Sequence, residues 1–208
     1  MALIKTLRYD DLPSIKSHFL SMDPDTLYSR FMCSVTPSYL DRYMAGFDFE
    51  KDILLGIEDL EDFSLIGLAE IRPVNEHTAE VAFTVSKNKQ KHGFGRELVK
   101  RAFLAAKNKG YTHVNLVCMP ENKGMQHIAK LNGMTLEKID GDVHGEISLP
   151  DPDIYSRSEE LGAEIAANLA SVSTKLLVRD IERFADMSRL VYTPVYSVFD
   201  IFNAPLFK

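Results

Sequence analysis

Hydrophobic and polar positions change their period several times along this chain, and each change marks an element. Leu3 to Tyr9 alternates and predicts a strand. Asp10-Asp11-Leu12-Pro13 then carries the acidic start and early proline of a helix whose Ile15, Phe19 and Leu20 share one face. Two more helical stretches follow, around Asp25 to Phe31 and from Thr36-Pro37 to about Ala45. From Asp52 the period shortens. Ile53 to Ile57 and Leu65 to Ile71 read as strands joined by the acidic turn Glu58 to Asp62, and Ala79 to Ser86 reads as a third strand after the polar turn Asn75 to Thr78. Helical spacing returns from about Gly93 to Asn108, where Phe94, Leu98, Ala102 and Ala105 stack and Gly110 stands just past the end. A strand at His113 to Cys118, a short helix at Gly124 to Asn132 and strands at Met134 to Ile139 and Val143 to Leu149 complete the pattern.

Pro150-Asp151-Pro152-Asp153 is the clearest boundary. It divides a mixed α/β domain over residues 1–150 from an extension over 151–208. In the extension, Ser156 to about Leu190 is helical in pattern, with Leu161, Ile165, Leu169, Val172 and Leu176 on one stripe. The closing stretch, Tyr192 to Lys208, is aromatic and broken by Pro194 and Pro205.

Composition narrows the classes. Hydrophobic residues make up 45% and charged residues 26% of 208, the balance of a chain that buries a core. A net charge of -6 argues against a surface built for nucleic acid or anionic lipid. No apolar run approaches the ~20 residues of a membrane span. The N-terminus lacks the pattern of a signal peptide, and the two cysteines, Cys33 and Cys118, suit a reducing compartment, so a cytoplasmic location is expected. The six histidines show no metal-ligand spacing, Cys118 reads as a core residue at the end of an apolar strand, and no metal is implied.

Chemistry concentrates at Gln90-Lys91-His92-Gly93-Phe94-Gly95-Arg96, which leaves a strand and opens a helix. Glycines there let the backbone approach a ligand, and the helix start adds partial positive charge, so the corner suits an anion such as pyrophosphate. A dinucleotide fingerprint requires a further glycine where Glu97 and Leu98 fall, and a phosphate-binding Gly-Lys-Ser/Thr is absent. Lys87, Lys89, Lys91, Arg96, Lys100, Arg101, Lys107 and Lys109 surround this corner against the single acid Glu97, a basic island in an acidic chain. A ligand with several phosphates, such as coenzyme A, accounts for its position.

These residues resemble the GNAT superfamily of acetyltransferases. Gln-x-x-Gly-x-Gly between strand and helix looks like its acetyl-CoA signature, and Ala79 to Val85 looks like its fourth strand. Asn122, eleven residues before Gly133-Met134, is similar to its Asn…Gly-Phe spacing. The likeness covers about residues 3–149. Leu7-Arg8…Asp10…Leu12-Pro13 and Asp23-Pro24…Tyr28-Ser29-Arg30-Phe31 resemble more narrowly the protein-lysine acetyltransferase branch. The resemblance implies a mostly antiparallel mixed sheet flanked by helices, and acetyl-CoA as cosubstrate. It implies backbone contacts from Phe83, Thr84 and Val85 to the pantetheine arm. Gln90, Lys91, His92, Gly93, Phe94, Gly95 and Arg96 would form the pyrophosphate loop, and Asn122 would meet the cofactor near its thioester.

Attack on a thioester requires a neutral amine, and a carboxylate, directly or through water, can take the proton. By the same resemblance Glu80 is the expected base, with Glu70 on the neighbouring strand as the alternative. The family's tyrosine acid, seven residues after the asparagine, is replaced by Ala129, and His127 lies on another side of the helix. The expected activity is therefore acetyl transfer to a primary amine, a protein lysine or a small molecule. A catalytically weak acyl-CoA-binding regulatory or assembly subunit is the alternative. The extension goes beyond the family pattern. Seven acids against six bases over 156–208 give it little pull toward a membrane, so its apolar stripe is expected to pack on the domain or on a second copy in a homodimer.

Overall fold

The computed structural model describes residues 3–174 and 176–177. The chain forms two compact units, Met1–Asn168 and Leu169–Lys208. In the first, β1 (Ile4–Leu7), β2 (Ile53–Glu58), β3 (Leu65–Pro73), β4 (Thr78–Val85), β5 (His113–Cys118), β6 (Thr135–Ile139) and β7 (Asp142–Ser148) build one sheet in the order β1-β2-β3-β4-β5-β7-β6. Every pairing is antiparallel except that of β4 with β5. A parallel pair needs a crossover, and α4 (Phe94–Lys109) supplies it. This is the mixed, largely antiparallel α/β arrangement expected from the sequence.

The helices α1 (Leu12–Leu20), α2 (Pro24–Phe31) and α3 (Pro37–Ala45) each carry proline in the first turn, where its missing N–H costs nothing. Asp23 and Thr36 cap α2 and α3 by accepting the N–H groups of Thr26 and Tyr39. The chain enters α1 through a short 3-10 turn at Tyr9–Asp11, so the regular helix starts two residues later than its acidic signature suggests.

Alternation along the strands feeds two cores, one on each face of the sheet. Leu7, Leu54 and Leu68 meet Ile15, Phe19, Leu40 and Met44 of α1 and α3. On the other face, Leu55, Ile57, Ala69, Ile71, Ala79, Val81, Val114 and Leu116 meet Leu98, Val99, Ala102 and Ala106 of α4, together with Ala129 of α5 (Lys123–Leu131). None of the core under α1 and α3 comes from β5, β6 or β7, so that face of the sheet's C-terminal half lacks their cover.

A further helix, α6, begins at residue 154 and reaches the end of the first unit at 168. It docks through polar side chains. Buried Arg101 of α4 meets Glu160 at 2.7 Å and Glu164 at 3.5 Å. Asn108 donates to Glu160 and to the carbonyl of Ser156, and Glu164 accepts the N–H and hydroxyl of Thr6 on β1. The apolar stripe is not what docks: Leu161 and Ile165 are exposed, so of its two expected covers, the domain and a second copy, the domain does not supply one for these residues. In the second unit, residues 169–174 and 176–177 are helical, with Leu169, Val172 and Leu176 exposed. The expectations for Tyr192 to Lys208 lie outside the described residues. No described helix is long and apolar enough to cross a membrane.

Candidate active site

β4 and β5 pair only at Thr78–His113, Ala79–Val114 and Glu80–Asn115. β4 continues to Val85 and β5 to Cys118, so beyond Glu80 the two strands part and leave a wedge with Glu80 and Asn115 at its apex. β3 still pairs with β4 as far as Val85. From Val81 onward β4 therefore keeps one backbone edge with no strand beside it, able to pair with an extended, amide-bearing ligand. Phe83, Thr84 and Val85 all lie on this stretch.

The loop after β4 is shaped by its own sequence. The Gln90 side-chain amide donates to the Val85 carbonyl at 3.0 Å, and His92 Nδ1 lies 2.7 Å from the Gln90 carbonyl. Left-handed backbone at Lys91 (φ 63) and Gly93 (φ 88) turns the chain into α4. The two glycines serve different ends. A Cβ at Gly93 would meet nothing within 4 Å, so that glycine is there for its conformation and leaves open space. A Cβ at Gly95 would stand 3.0 Å from Ile128 Cδ1, so this glycine lets α5 approach α4. Gly93 offers no side chain to cap the helix, so the first-turn N–H groups around Phe94, Gly95 and Arg96 have no side-chain cap.

The basic island is partly structural. Lys87 pairs with Asp23, Lys89 with Asp59, Arg101 with Glu160 and Glu164, and Lys107 with Asp153. Lys91, Arg96 and Lys100 are exposed and make no ion pair among the described residues. Lys109, at the far end of α4, donates to the Glu50 carbonyl and likewise makes no ion pair among the described residues.

The two strand acids have opposite surroundings, although the register places them on the same face of the sheet. Glu70 is 1% exposed; it accepts from Arg30 at 2.8 Å and from the Tyr43 hydroxyl at 2.5 Å. Burial and then the Glu70 charge push the Tyr43 phenol well above its ordinary pKa, so Tyr43 stays a donor. Both oxygens are thus taken, and the side chain has almost no solvent access. Glu80 is exposed and has no hydrogen bond or ion pair among the described residues. Its cross-strand neighbour Arg72 is turned instead to Asp52 (3.3 Å) and to the Gly46 carbonyl (2.9 Å). That diversion leaves the Glu80 carboxylate unneutralised beside the wedge.

Thr84 is held from behind. Its hydroxyl lies 3.0 Å from Nε2 of buried His18, whose Nδ1 lies 2.6 Å from the Leu65 carbonyl. A carbonyl only accepts, so Nδ1 carries the hydrogen and Nε2 accepts from Thr84. Burial lowers the His18 pKa to about 4, so the ring is neutral at physiological pH. The Thr84 side chain is thus committed to α1 and its backbone faces β3, so Phe83 and Val85 are the residues whose backbone groups face the wedge.

Asn122 caps α5 by accepting the Met125 N–H at 3.0 Å. Ala129 is fully buried in the core, whereas His127, two residues earlier on α5, is exposed. Cys118 is buried, as expected, and burial raises its thiol pKa, which keeps it protonated and unreactive. Among the described residues no cluster of His, Cys, Asp and Glu is arranged to hold a metal ion.

Comparison with known proteins agrees with this geometry. The acetyltransferase (GNAT) family model matches residues 23–134, more than half of the chain. The chain belongs to the GNAT acetyltransferase family. Enzymes of this family use acetyl-CoA, and the chain is an acyltransferase of that kind. No curated protein matches its sequence at a significant level. Solved GNAT structures share the fold. The GNAT domain of S. lividans PAT is 20% identical with a TM-score of 0.62, covering 70% of this chain and 89% of that one. The ribosomal-protein-alanine N-acetyltransferase of Brucella melitensis is 16% identical with a TM-score of 0.58, covering 71% and 99%. The spermidine N-acetyltransferase of Vibrio cholerae, solved with CoA and spermine, is 22% identical with a TM-score of 0.55, covering 70% and 94%.

The structure puts Glu80 at the apex of the wedge and residues 90–96 at the turn into α4; His18, Asn115 and the Arg30–Tyr43 pairing with Glu70 were not among the expectations from the sequence. The alternation of β5 puts Asn115 on its polar face, yet only the register brings it beside Glu80.

Proposed function

We propose that the chain transfers the acetyl group of acetyl-CoA to a primary amine, with Glu80 as the general base. The observation that carries this is the wedge: β4 and β5 part directly beyond an exposed, unpaired carboxylate, and the uncapped start of α4 lies beside the end of β4. The pantetheine arm would pair with the free edge of Phe83 to Val85. Its pyrophosphate would meet the N–H groups from Lys91 to Arg96, with Lys91, Arg96 and Lys100 supplying charge. Asn122 stands at the N-terminus of α5, where its amide nitrogen remains for the cofactor.

An amine arrives mostly as ammonium. Glu80 takes one proton, the nitrogen lone pair attacks the thioester carbon, and the tetrahedral intermediate collapses with expulsion of the CoA thiolate; the nitrogen's second proton passes through water to the thiolate, and Glu80 returns its own to solvent. The thiolate is a good leaving group, so a buried alanine at 129 does not block the step. The same alanine favours a second reading, in which the protein binds acyl-CoA with little turnover. The GNAT neighbours named for a ribosomal-protein alanine and for spermidine support amines as acceptors, and the N-terminal likeness to the protein-lysine branch supports lysine. Mixing the protein with acetyl-CoA and a panel of spermidine, free lysine and lysine peptides, with thiol release followed, tests the proposal. Thiol release with at least one amine is expected. CoA binding by calorimetry without thiol release from any of them leaves only the second reading.

A further inference from the structure

The site described so far holds a cofactor and a base but has nothing to hold the acceptor, and Asn115 is placed for that work. It is the cross-strand partner of Glu80 at the last paired position before β4 and β5 separate, and the two side chains leave the same face of the sheet. On its other side Asn115 pairs with Glu146 of β7. Glu80, Asn115 and Glu146 thus stand in a row across three strands. At ~4.8 Å per strand, the two carboxylates are roughly 10 Å apart with the amide between them.

Asn115 Oδ1 is buried and has no hydrogen-bond partner, a rare condition for an amide oxygen inside a protein. Asn115 as a whole is only partly buried, and its carbonyl gives up no bond by turning toward an arriving N–H donor. Glu146 is exposed and unpaired among the described residues. The face that carries this row is the half of the sheet that α1 and α3 leave uncovered, opposite the face on which α4 and α5 pack. An acceptor entering there reaches the apex of the wedge without crossing the cofactor's side.

We propose that Asn115 is the acceptor-binding residue: its Oδ1 accepts from the acceptor's ammonium and orients it toward Glu80, while Glu146 attracts further positive charge on the same molecule. The acceptor class is an alkylammonium that carries a second cationic group nearby. This inference rests on the acetyltransferase reading and deepens it.

Steady-state kinetics test it with spermidine and a lysine peptide flanked by arginine, against monocationic butylamine, in wild type, Asn115→Ala, Asn115→Asp and Glu146→Gln. Asn115→Ala should raise the amine KM about tenfold or more, with the CoA affinity measured by calorimetry unchanged. Asn115→Asp keeps an acceptor oxygen and should restore much of the loss. Glu146→Gln should raise KM several-fold for the polycations and not for butylamine. Preference for spermidine over the peptide, or the reverse, identifies the source of the cation. An amine KM within twofold of wild type in Asn115→Ala overturns the assignment while leaving the acetyltransferase reading intact. A wild type that binds CoA but acetylates none of these amines overturns both. Should Asn115→Ala fail to fold, an Asn115→Asp variant with CoA affinity intact and an amine KM raised tenfold also overturns the assignment.

Discussion

Glu70 and Glu80 occupy adjacent strands and the same face of one sheet, yet their surroundings are opposite. The Glu70 region is closed by α1, α2 and α3. Arg30 and Tyr43 bond the carboxylate, and Phe19, Phe31, Tyr39 and Phe47 pack edge-on or stacked around Tyr43. The Glu80 region lies where the strands separate, and its cross-strand neighbour Arg72 is diverted to Asp52. A base needs free lone pairs and a route for its proton; a structural anion needs the reverse. Solvent access and satisfied bonding separate the two roles, and neither shows in the identity of the residue.

The comparison breaks most sharply at Glu80. Glu80→Gln should keep fold and CoA affinity and lower turnover by about 10²–10⁴-fold, with the greatest loss at lower pH where less amine is neutral. Wild-type turnover across pH 6–9 would return Glu80 to the status of a surface acid. The mirror experiment is Glu70→Ala. It leaves the Arg30 guanidinium buried without its carboxylate and should cost about 3–5 kcal/mol of stability in urea denaturation. Glu80→Gln should change stability by less than about 0.5 kcal/mol, since the side chain is exposed. If instead Glu70→Ala is stable and inactive while Glu80→Gln is active, the two roles are exchanged.

The sequence carried much of this. Period changes located the strands and helices because each element has one buried face, and Gly93 and Gly110 announced the ends of α4 because only glycine sits easily at φ 88 and φ 103. Partnership was not legible. Arg30, Tyr43 and Glu70 lie 13 to 40 residues apart, and their meeting depends on helix packing that no local pattern encodes. The basic island misled in part, since Lys87, Lys89 and Arg101 are bound by acids distant in sequence. Gly93 and Gly95 looked alike in the motif and differ in function because only packing distinguishes open space from a neighbouring isoleucine.

His18 sharpens the comparison on the cofactor side. Its folded pKa of about 4 lies below the ordinary 6.5, so the folded state favours the neutral ring. Below pH 6.5 the unfolded chain takes up a proton that the folded chain refuses, and stability falls until the folded pKa is reached. The stability is fully present above pH 6.5 and declines by roughly 3 kcal/mol down to pH 4. Urea denaturation of wild type and His18→Gln at pH 7, 6 and 5 isolates this share, because the other titrating groups cancel in the difference. Wild type should show the steeper loss. Parallel curves would mean that His18 titrates normally and that its link to Thr84 is weak.

The smallest expected effect lies farthest from the chemistry, where α6 meets the outer edge of β1. An edge strand exposes N–H groups that can recruit another chain, and here carboxylates occupy them: Glu164 accepts from Thr6 and Asp11 from Arg8. Glu164→Ala leaves the Thr6 N–H unpaired and strips one acid from buried Arg101, which keeps Glu160, so the loss should be about 1–3 kcal/mol. Glu164→Gln retains an acceptor for Thr6 and should lose less, which separates the hydrogen bond from the charge. Neither change should alter CoA affinity, since Thr6 and α6 lie apart from the residues proposed to bind the cofactor. Two truncations extend the test. Cutting after Asn168 keeps Glu160 and Glu164, whereas cutting after Pro150 removes both and frees the β1 edge. The shorter chain should melt lower and self-associate in light scattering. Equal melting temperature and equal mass for the two truncations would show that the edge needs no cover and that residues 151–168 are dispensable to the folded domain.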